Sequence, residues 1–321
     1  MRFADADWLD AAAALAMRGR PLSRPNPAVG ALIVREGRVI GRGWTRAGGR
    51  PHAEAEALAQ AGAAARGAAA YVTLEPCAHT SARGPACAQL LREAGLARVV
   101  IGCPDPDPRT AGEGLALLRA AEIAAEVLPS PAASRSLEGY LIRAREGRPH
   151  TTLKLATSLD GCIAMADGTS QWITGAEARA HGHAIRARAD AILVGGGTLR
   201  ADRPRLDVRL QGLEARSPAR WVLTRGAAPE DWQAVRDAAS AGFDGAQYLL
   251  IEGGAGAAAA FLAADRVDRL LLYRAPIVLG AGRPGIGDIG LTALADAHGR
   301  WQLTDRRRLG SDTLDVYDRT R

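Results

Sequence analysis

Short apolar runs alternate with alanine-rich helical segments along almost the whole chain, and that alternation leaves few architectures open. Residues 4–20 read as a helix, with acids at its start and arginines at its end. Arg24-Pro25-Asn26-Pro27 breaks it. Strands are expected at 28–34 and 39–44 around a turn at Gly37, then at 69–74, 98–101 and 123–128. Helices are expected at 52–65, 87–94 and 112–121 between them. This predicts a three-layer α/β/α unit around a mostly parallel sheet. The stretch 129–149 begins rich in Pro, Ser and Ala and ends Glu-Gly-Arg-Pro, which puts a domain boundary near residue 147. A second α/β pattern follows, with strands at 151–156, 191–194, 221–224, 247–251, 269–273, 301–308 and 313–317. Its helices are expected at 175–189, 231–241 and 256–264. The domains are therefore 1–147 and 148–321, which suits a length of 321 residues.

Composition narrows the function. Hydrophobic residues make up 47% and charged residues 24%, too apolar for a disordered chain. No apolar run reaches the roughly 18 residues of a membrane span. Asp5, Asp7 and Asp10 precede the apolar run Ala11–Met17, where a secretory signal would carry basic residues. A cytoplasmic protein without a membrane partner is expected. The net charge of +6 is spread out: residues 1–148 hold 19 basic and 15 acidic side chains, the remainder 22 and 20. With aromatics at 4%, no stacking basic channel for nucleic acid is indicated. Of 41 basic side chains only one, Lys154, is a lysine.

The sharpest chemical signal is His52-Ala53-Glu54, followed by Glu75-Pro76-Cys77 and then Cys87. One imidazole and two thiolates suit Zn²⁺ and leave a fourth tetrahedral position for water. Zinc brings the pKa of such a water towards neutrality, and a carboxylate two residues after the histidine can shuttle protons without ligating. Singly, Cys77 and Cys87 would be buried small residues and His52 a surface cap; jointly, with Glu54, they point to zinc. His79 is the competing ligand, and Cys103 and Cys162 lack partners. His52 and Cys87 each open an expected helix, whose positive end favours thiolates. The cysteines are separated by a loop, 78–86, longer than the usual P-C-x-x-C spacing. Within it Arg83 offers a forked donor for a substrate phosphate, or is a solvated loop arginine.

Two segments of the second half pair a strand with a glycine-rich turn: 191–194 running into Gly195-Gly196-Gly197-Thr198, and 248–251 into Glu252-Gly253-Gly254-Ala255-Gly256. Such turns let phosphates approach the backbone. Neither is a G-x-G-x-x-G in a leading βαβ unit, so a Rossmann dehydrogenase is not indicated.

Asn26-Pro27-Ala28-Val29-Gly30, His52-Ala53-Glu54, Thr73-Leu74-Glu75-Pro76-Cys77-Ala78-His79, the loop to Cys87 and Asp105-Pro106-Asp107-Pro108 together resemble the pyrimidine deaminase half of the bifunctional riboflavin-biosynthesis deaminase–reductase family. Leu153 to Gly161, Ser170 to Thr174, Arg186, Thr198 and Asp202-Arg203-Pro204 resemble its reductase half, in the same order. The resemblance implies a cytidine-deaminase-like domain followed by a dihydrofolate-reductase-like domain, using Zn²⁺ and NADPH on phosphorylated pyrimidine ribosides, in a homo-oligomer. The first half would hydrolyse the 2-amino group of a diaminopyrimidine ribosylamino phosphate, and the second would reduce the ribosyl group to ribityl. It also implies that Asn26, Glu75 and Asp105 contact the pyrimidine and Arg83 the phosphate. Ala156, Trp172, Thr198, Asp202 and the segment from Gly254, Ala255 and Gly256 to Ala260 would line NADPH. Ser170, Arg186, Leu206, Arg209 and Glu252 would face the second substrate. Lys154 and Asp160 are candidates for positioning or proton relay near the sugar, or form a strand-end ion pair. Two departures stand out: Ala82-Arg83-Gly84-Pro85-Ala86 replaces the usual Gly-Lys/Arg-Thr-Pro-Pro, and Thr224-Arg225 replaces an Asp-Ser pair, so Arg225 meets the 2′-phosphate of NADPH or solvent. The alternative is a zinc deaminase for another nucleobase substrate, such as one in tRNA, with a degenerate reductase half.

Overall fold

The computed structural model of the chain describes residues 3–80, 83–239 and 242–321. These form two compact units, Met1–Gly147 and Arg148–Arg321.

The first unit runs α1 (Asp5–Ala16), β1 (Gly30–Arg35), β2 (Arg38–Trp44), α2 (Ala53–Ala61), β3 (Ala69–Val72), α3 (Cys87–Glu93), β4 (Arg98–Ile101), α4 (Glu113–Ala120), β5 (Ala124–Val127), α5 (Pro131–Ser136) and α6 (Glu138–Glu146). The sheet order is β2-β1-β3-β4-β5. Alternation along the strands builds two cores. Ala31, Ile33, Ala70, Val72, Val99 and Ile101 point to the face packed with Ala53, Ala57, Leu91 and Leu118 from α2, α3 and α4. Leu32, Val34, Tyr71 and Val100 point to the other face, against Leu9 and Ala12 of α1. Three layers result, as expected. The sheet is less parallel than expected: β1 runs antiparallel to both β2 and β3, and only β3, β4 and β5 are parallel. The short turn at Gly37 makes β1 and β2 a hairpin, which forces that reversal.

Glycine lets α2 lie directly on this hairpin. A Cβ on Gly43 would fall 2.1 Å from the Ala53 carbonyl oxygen, and one on Gly41 the same distance from that of Ala57. The stretch 129–149 is not a linker. Ser130 caps α5 by accepting from the Ala133 N–H at 3.1 Å, with Pro131 in the first turn, and α6 follows until Gly147 ends it in a left-handed conformation.

The second unit runs β6 (His150–Thr157), β7 (Cys162–Ala164), α7 (Ala176–Arg186), β8 (Ala191–Gly195), α8 (Gly196–Asp202), β9 (Ala219–Leu223), β10 (Gln233–Val235), β11 (Tyr248–Glu252), α9 (Ala255–Ala263), β12 (Arg269–Arg274), β13 (Arg283–Pro284), β14 (Trp301–Leu309) and β15 (Asp312–Arg319). Its large sheet has the order β10-β9-β8-β11-β6-β12-β15-β14. Pairings from β10 to β12 are parallel, and those of β15 with β12 and β14 antiparallel. Strands β7 and β13 form a small separate pair, unseen in the sequence.

The helix expected at 231–241 is absent from the described part of that segment. Gln233–Val235 instead extends the sheet edge beside β9, with Trp232, Val235 and Ala238 buried. Burial of those side chains outweighs the helix propensity of the alanines. Ser240 and Ala241 lie outside the described residues.

Candidate active sites

His52 is the N-cap residue of α2 and Cys87 the first residue of α3, while Cys77 follows the end of β3. The chain thus brings three ligand types to one point from three elements. His52 Nδ1 lies 3.2 Å from Cys87 Sγ and 3.7 Å from Cys77 Sγ, and all three ligand atoms fall within 4.8 Å of one another. Zinc bond lengths give tetrahedral edges of about 3.6 Å between nitrogen and sulfur, so this set fits the ion. His79, the competing ligand, sits 3.5 Å from the Thr110 hydroxyl and is outside the cluster.

The surroundings hold these groups in place. The Cys87 N–H reaches the Cys77 sulfur at 3.3 Å. Contact with the Cys87 thiol, together with His52, holds the Cys77 thiol down to about 4, while the bond to Cys77 and burial push Cys87 up. Burial opposes protonation of His52, but the Cys77 sulfur and Glu54 outweigh it and its pKa is raised. Glu54 is itself buried in the first turn of α2, and burial pushes its carboxyl up. Asn26 Nδ2 lies 2.9 Å from His52 Nε2 and donates to the Gly49 carbonyl at 3.0 Å, which fixes the imidazole plane. Gly49, at φ +87°, leaves the room: a Cβ there would sit 2.7 Å from Asn26 Cγ.

The other expected residues of this unit divide. Asp105 is buried beside the strand ends, and its Oδ1 accepts from the Tyr140 hydroxyl at 2.6 Å. Burial raises its carboxyl pKa. Glu75 is engaged elsewhere: its oxygens accept from the Gly112 and Leu115 N–H groups, both at 3.1 Å, at the start of α4. Its charge therefore stabilises a helix N-terminus. Arg83 is exposed and donates to the Gly48 carbonyl at 2.6 Å, which brings the long cysteine loop back to the segment before His52. Ser81 and Ala82 of that loop lie outside the described residues.

In the second unit the two glycine-rich turns end adjacent parallel strands, β8 and β11. They touch: a Cβ on Gly254 would fall 2.6 Å from the Thr198 hydroxyl, and one on Gly195 would fall 3.3 Å from Ala257. Ala255 opens α9 and Thr198 lies in the first turn of α8, with Asp202 exposed at the far end of α8. Glu252 is buried at the end of β11. Burial alone would raise it, but two hydrogen bonds from Arg186, at 2.7 and 2.8 Å, and the charge of Lys154 bring it below its ordinary value. Ala156 lies half-buried on β6. Trp172 is 63% exposed, with the Arg179 guanidinium 4.9 Å from its ring centroid. Ser170 is half-buried and Arg209 exposed. Leu206 is a core residue packed with Ile192, Val194 and Val222, so it can reach a ligand only through its backbone.

Lys154 and Asp160 do not pair with each other. Asp160 accepts from the N–H groups of Leu279 and Gly280 at 3.1 and 2.8 Å, which fixes a loop. Arg225 is exposed, and its carbonyl accepts from Arg236 at 2.8 Å.

Comparison with known proteins decides between the readings of these two sites. The family profile "Cytidine and deoxycytidylate deaminase zinc-binding region" matches residues 4–103, and "RibD C-terminal domain" matches residues 149–244 and 240–314. The riboflavin biosynthesis protein RibD of Haemophilus influenzae is 36% identical over 98% of this chain and 97% of its own length. The chain belongs to the RibD family. The Mycobacterium tuberculosis RibD is 39% identical over 90% of each chain. The solved structure of Acinetobacter baumannii RibD superposes with a TM-score of 0.87 at 34% identity, covering 99% of each chain. A Thermotoga maritima structure, described as a diaminohydroxyphosphoribosylaminopyrimidine deaminase/5-amino-6-(5-phosphoribosylamino)uracil reductase, gives 0.88 at 28% identity, covering 98% of this chain and 99% of that one. As a RibD, the chain is a deaminase–reductase with a zinc-binding deaminase domain and an NADPH-using, dihydrofolate-reductase-like domain. The tRNA-deaminase alternative is not favoured. No helix among the described residues is long and apolar enough to cross a membrane.

Proposed function

We propose that this RibD carries out two consecutive steps on one pyrimidine ribosyl phosphate, deamination in residues 1–147 and reduction in residues 148–321. The observation that carries the reading is the meeting of His52 Nδ1 with the Cys77 and Cys87 sulfurs beside the buried Glu54. The substrate of the first step is the diaminopyrimidine ribosylamino 5′-phosphate, and of the second its deaminated uracil product. His52, Cys77 and Cys87 would hold zinc, which when bound would supply an activated water nucleophile. Glu54 would carry protons between the attacking water and the pyrimidine, one ending on the ring nitrogen and one on the departing amine, so that C–NH₂ becomes C=O and ammonia leaves. Asn26 and Asp105 orient the ring, and Arg83 meets the phosphate. Glu75 acts on the site indirectly by fixing α4.

In the second unit the touching turns at Thr198 and Gly254–Gly256, with Ala156, Trp172 and Asp202, line the cofactor, and NADPH supplies the hydride. Ser170, Arg186, Arg209, Glu252 and the backbone of Leu206 face the substrate. Reduction would open the sugar C1′–O4′ bond, with the hydride that NADPH supplies when bound ending on C1′ and a proton on O4′. Lys154 is the group that delivers it. The dispersed charge and sparse aromatics support small-molecule substrates without nucleic acid, and we place the enzyme in the cytoplasm as a homo-oligomer.

The test uses one purified sample of known zinc content. Ammonia release is followed from the diaminopyrimidine, then NADPH oxidation. Both proceed in the native protein; Glu54→Gln stops both, and adding deaminated product restores NADPH oxidation alone. Zinc without ammonia release overturns the first half. Failure to oxidise NADPH with deaminated product supplied overturns the second.

A further inference from the structure

Forty of the 41 basic side chains in this protein are arginines, and the one lysine lies in the interior of β6, the strand at the centre of the second sheet. Arginine is never neutral in a protein, so it cannot deliver a proton and take it back; an ammonium can. What holds that ammonium is therefore of consequence. On one side, Lys154 is the register partner of Glu252 on β11. On the other, its Nζ lies 5.6 Å from the ring centroid of Tyr273 on β12. Helix α7 covers this face and reaches down twice. Arg186 clamps Glu252, and His181 Nδ1 lies 2.7 Å from the Tyr273 hydroxyl. Tyr273 is 1% exposed, and burial keeps its hydroxyl protonated. Burial and the charges of Arg307 and Arg188 lower the pKa of His181, and its Nδ1 shares one hydrogen bond with the Tyr273 hydroxyl. His183, on the same helix, adds its field to Glu252.

We propose that Tyr273 and His181 are positioning residues of the reductase, holding the Lys154 ammonium between the Tyr273 ring face and Glu252. The ring contributes a cation–π attraction, and the bond to His181 fixes the angle of the ring. This rests on the role given to Lys154 above.

A lone lysine makes a direct readout available. Full-length protein grown with lysine labelled at the ε-carbon gives a single side-chain signal. In the native protein that signal is displaced by the Tyr273 ring current. In Tyr273→Phe and His181→Leu, which keep the ring but remove its hydrogen bond, the signal shifts or broadens. The reductase kcat falls roughly ten-fold, with the dissociation constant for NADP⁺ and the rate of ammonia release unchanged. Tyr273→Leu removes the ring and takes the signal to its unfolded position. An unmoved lysine signal with native kcat in both ring-keeping variants overturns the positioning role, even where the melting temperature drops. If Lys154→Met reduces substrate at the native rate, the reading of Lys154 as proton donor falls, whatever the signal does in the tyrosine variants.

Discussion

Glu54 is buried beside the metal-ligand cluster, and the proposed reaction gives it the proton transfers. Replacing it with Gln keeps size and burial but removes the proton carrier. Ammonia release should fall by at least about 10²-fold, while metal analysis still finds zinc, because Glu54 is outside the ligand cluster. Cys87→Ser should instead lose the zinc along with the activity, seen by the same metal analysis. The cluster of His52, Cys77 and Cys87 was legible in the sequence because metal chemistry restricts which side chains can ligate and short motifs carry them. Glu75 was not. Its oxygens are taken by backbone N–H groups of Gly112 and Leu115, almost forty residues on, and no local pattern announces such a contact. Asp160 is similar, held by a loop more than a hundred residues away. Leu206 looked like a contact residue by position, but its side chain belongs to the core.

Among the elements, α4 approaches the segment that follows β3 more closely than any side chain would allow. A Cβ on Gly114 would lie 2.0 Å from the Pro76 carbonyl oxygen, next to Cys77. Gly114→Ala should therefore push Cys77 out of register with its partners and weaken zinc binding, measurable by competition with a chromogenic chelator. The start of β6 is held by charge instead. Asp268 accepts from Arg148 at 2.7 and 2.9 Å, from Arg321 at 2.6 Å and from the Thr151 N–H at 2.8 Å, all close to where β6 and β12 begin. Burial works against the carboxylate, but these donors win and hold it at about 2 against an ordinary 3.8. A depressed carboxyl stabilises the fold above its unfolded pKa and ceases to do so as pH falls through the folded one. The second unit should thus lose about 2 kcal/mol between roughly pH 4 and pH 2, and Asp268→Asn should flatten that part of an acid titration. At neutral pH the same change removes the carboxylate from beside the buried Arg148 and should cost about 3 kcal/mol in denaturant melts. Strands buried on both faces were readable as apolar runs. The helix expected at 231–241 was not, because an edge strand of three residues carries too little pattern to compete with alanines.

At the scale of the whole molecule, two compact units on one chain imply two separable stabilities. A chelator should lower the melting temperature of the zinc-binding unit and leave the other in place. NADP⁺ at a hundred times its dissociation constant should stabilise the second unit by about 2.7 kcal/mol and leave the first alone. Differential scanning calorimetry on the full chain reads both. A single transition displaced equally by either ligand would contradict separability. The division near residue 147 was legible as a change of composition, and the order of the halves as a succession of motifs. That the two units are translated from one message has a further consequence. Every ribosome that finishes the chain delivers one hydrolytic site and one reductive site, so neither transcription nor translation can change their ratio. Balance between the steps must come from the turnover of each site alone. A substitution that slows the second unit by some factor cannot be offset by making more of it, because more of the first unit is made at the same time.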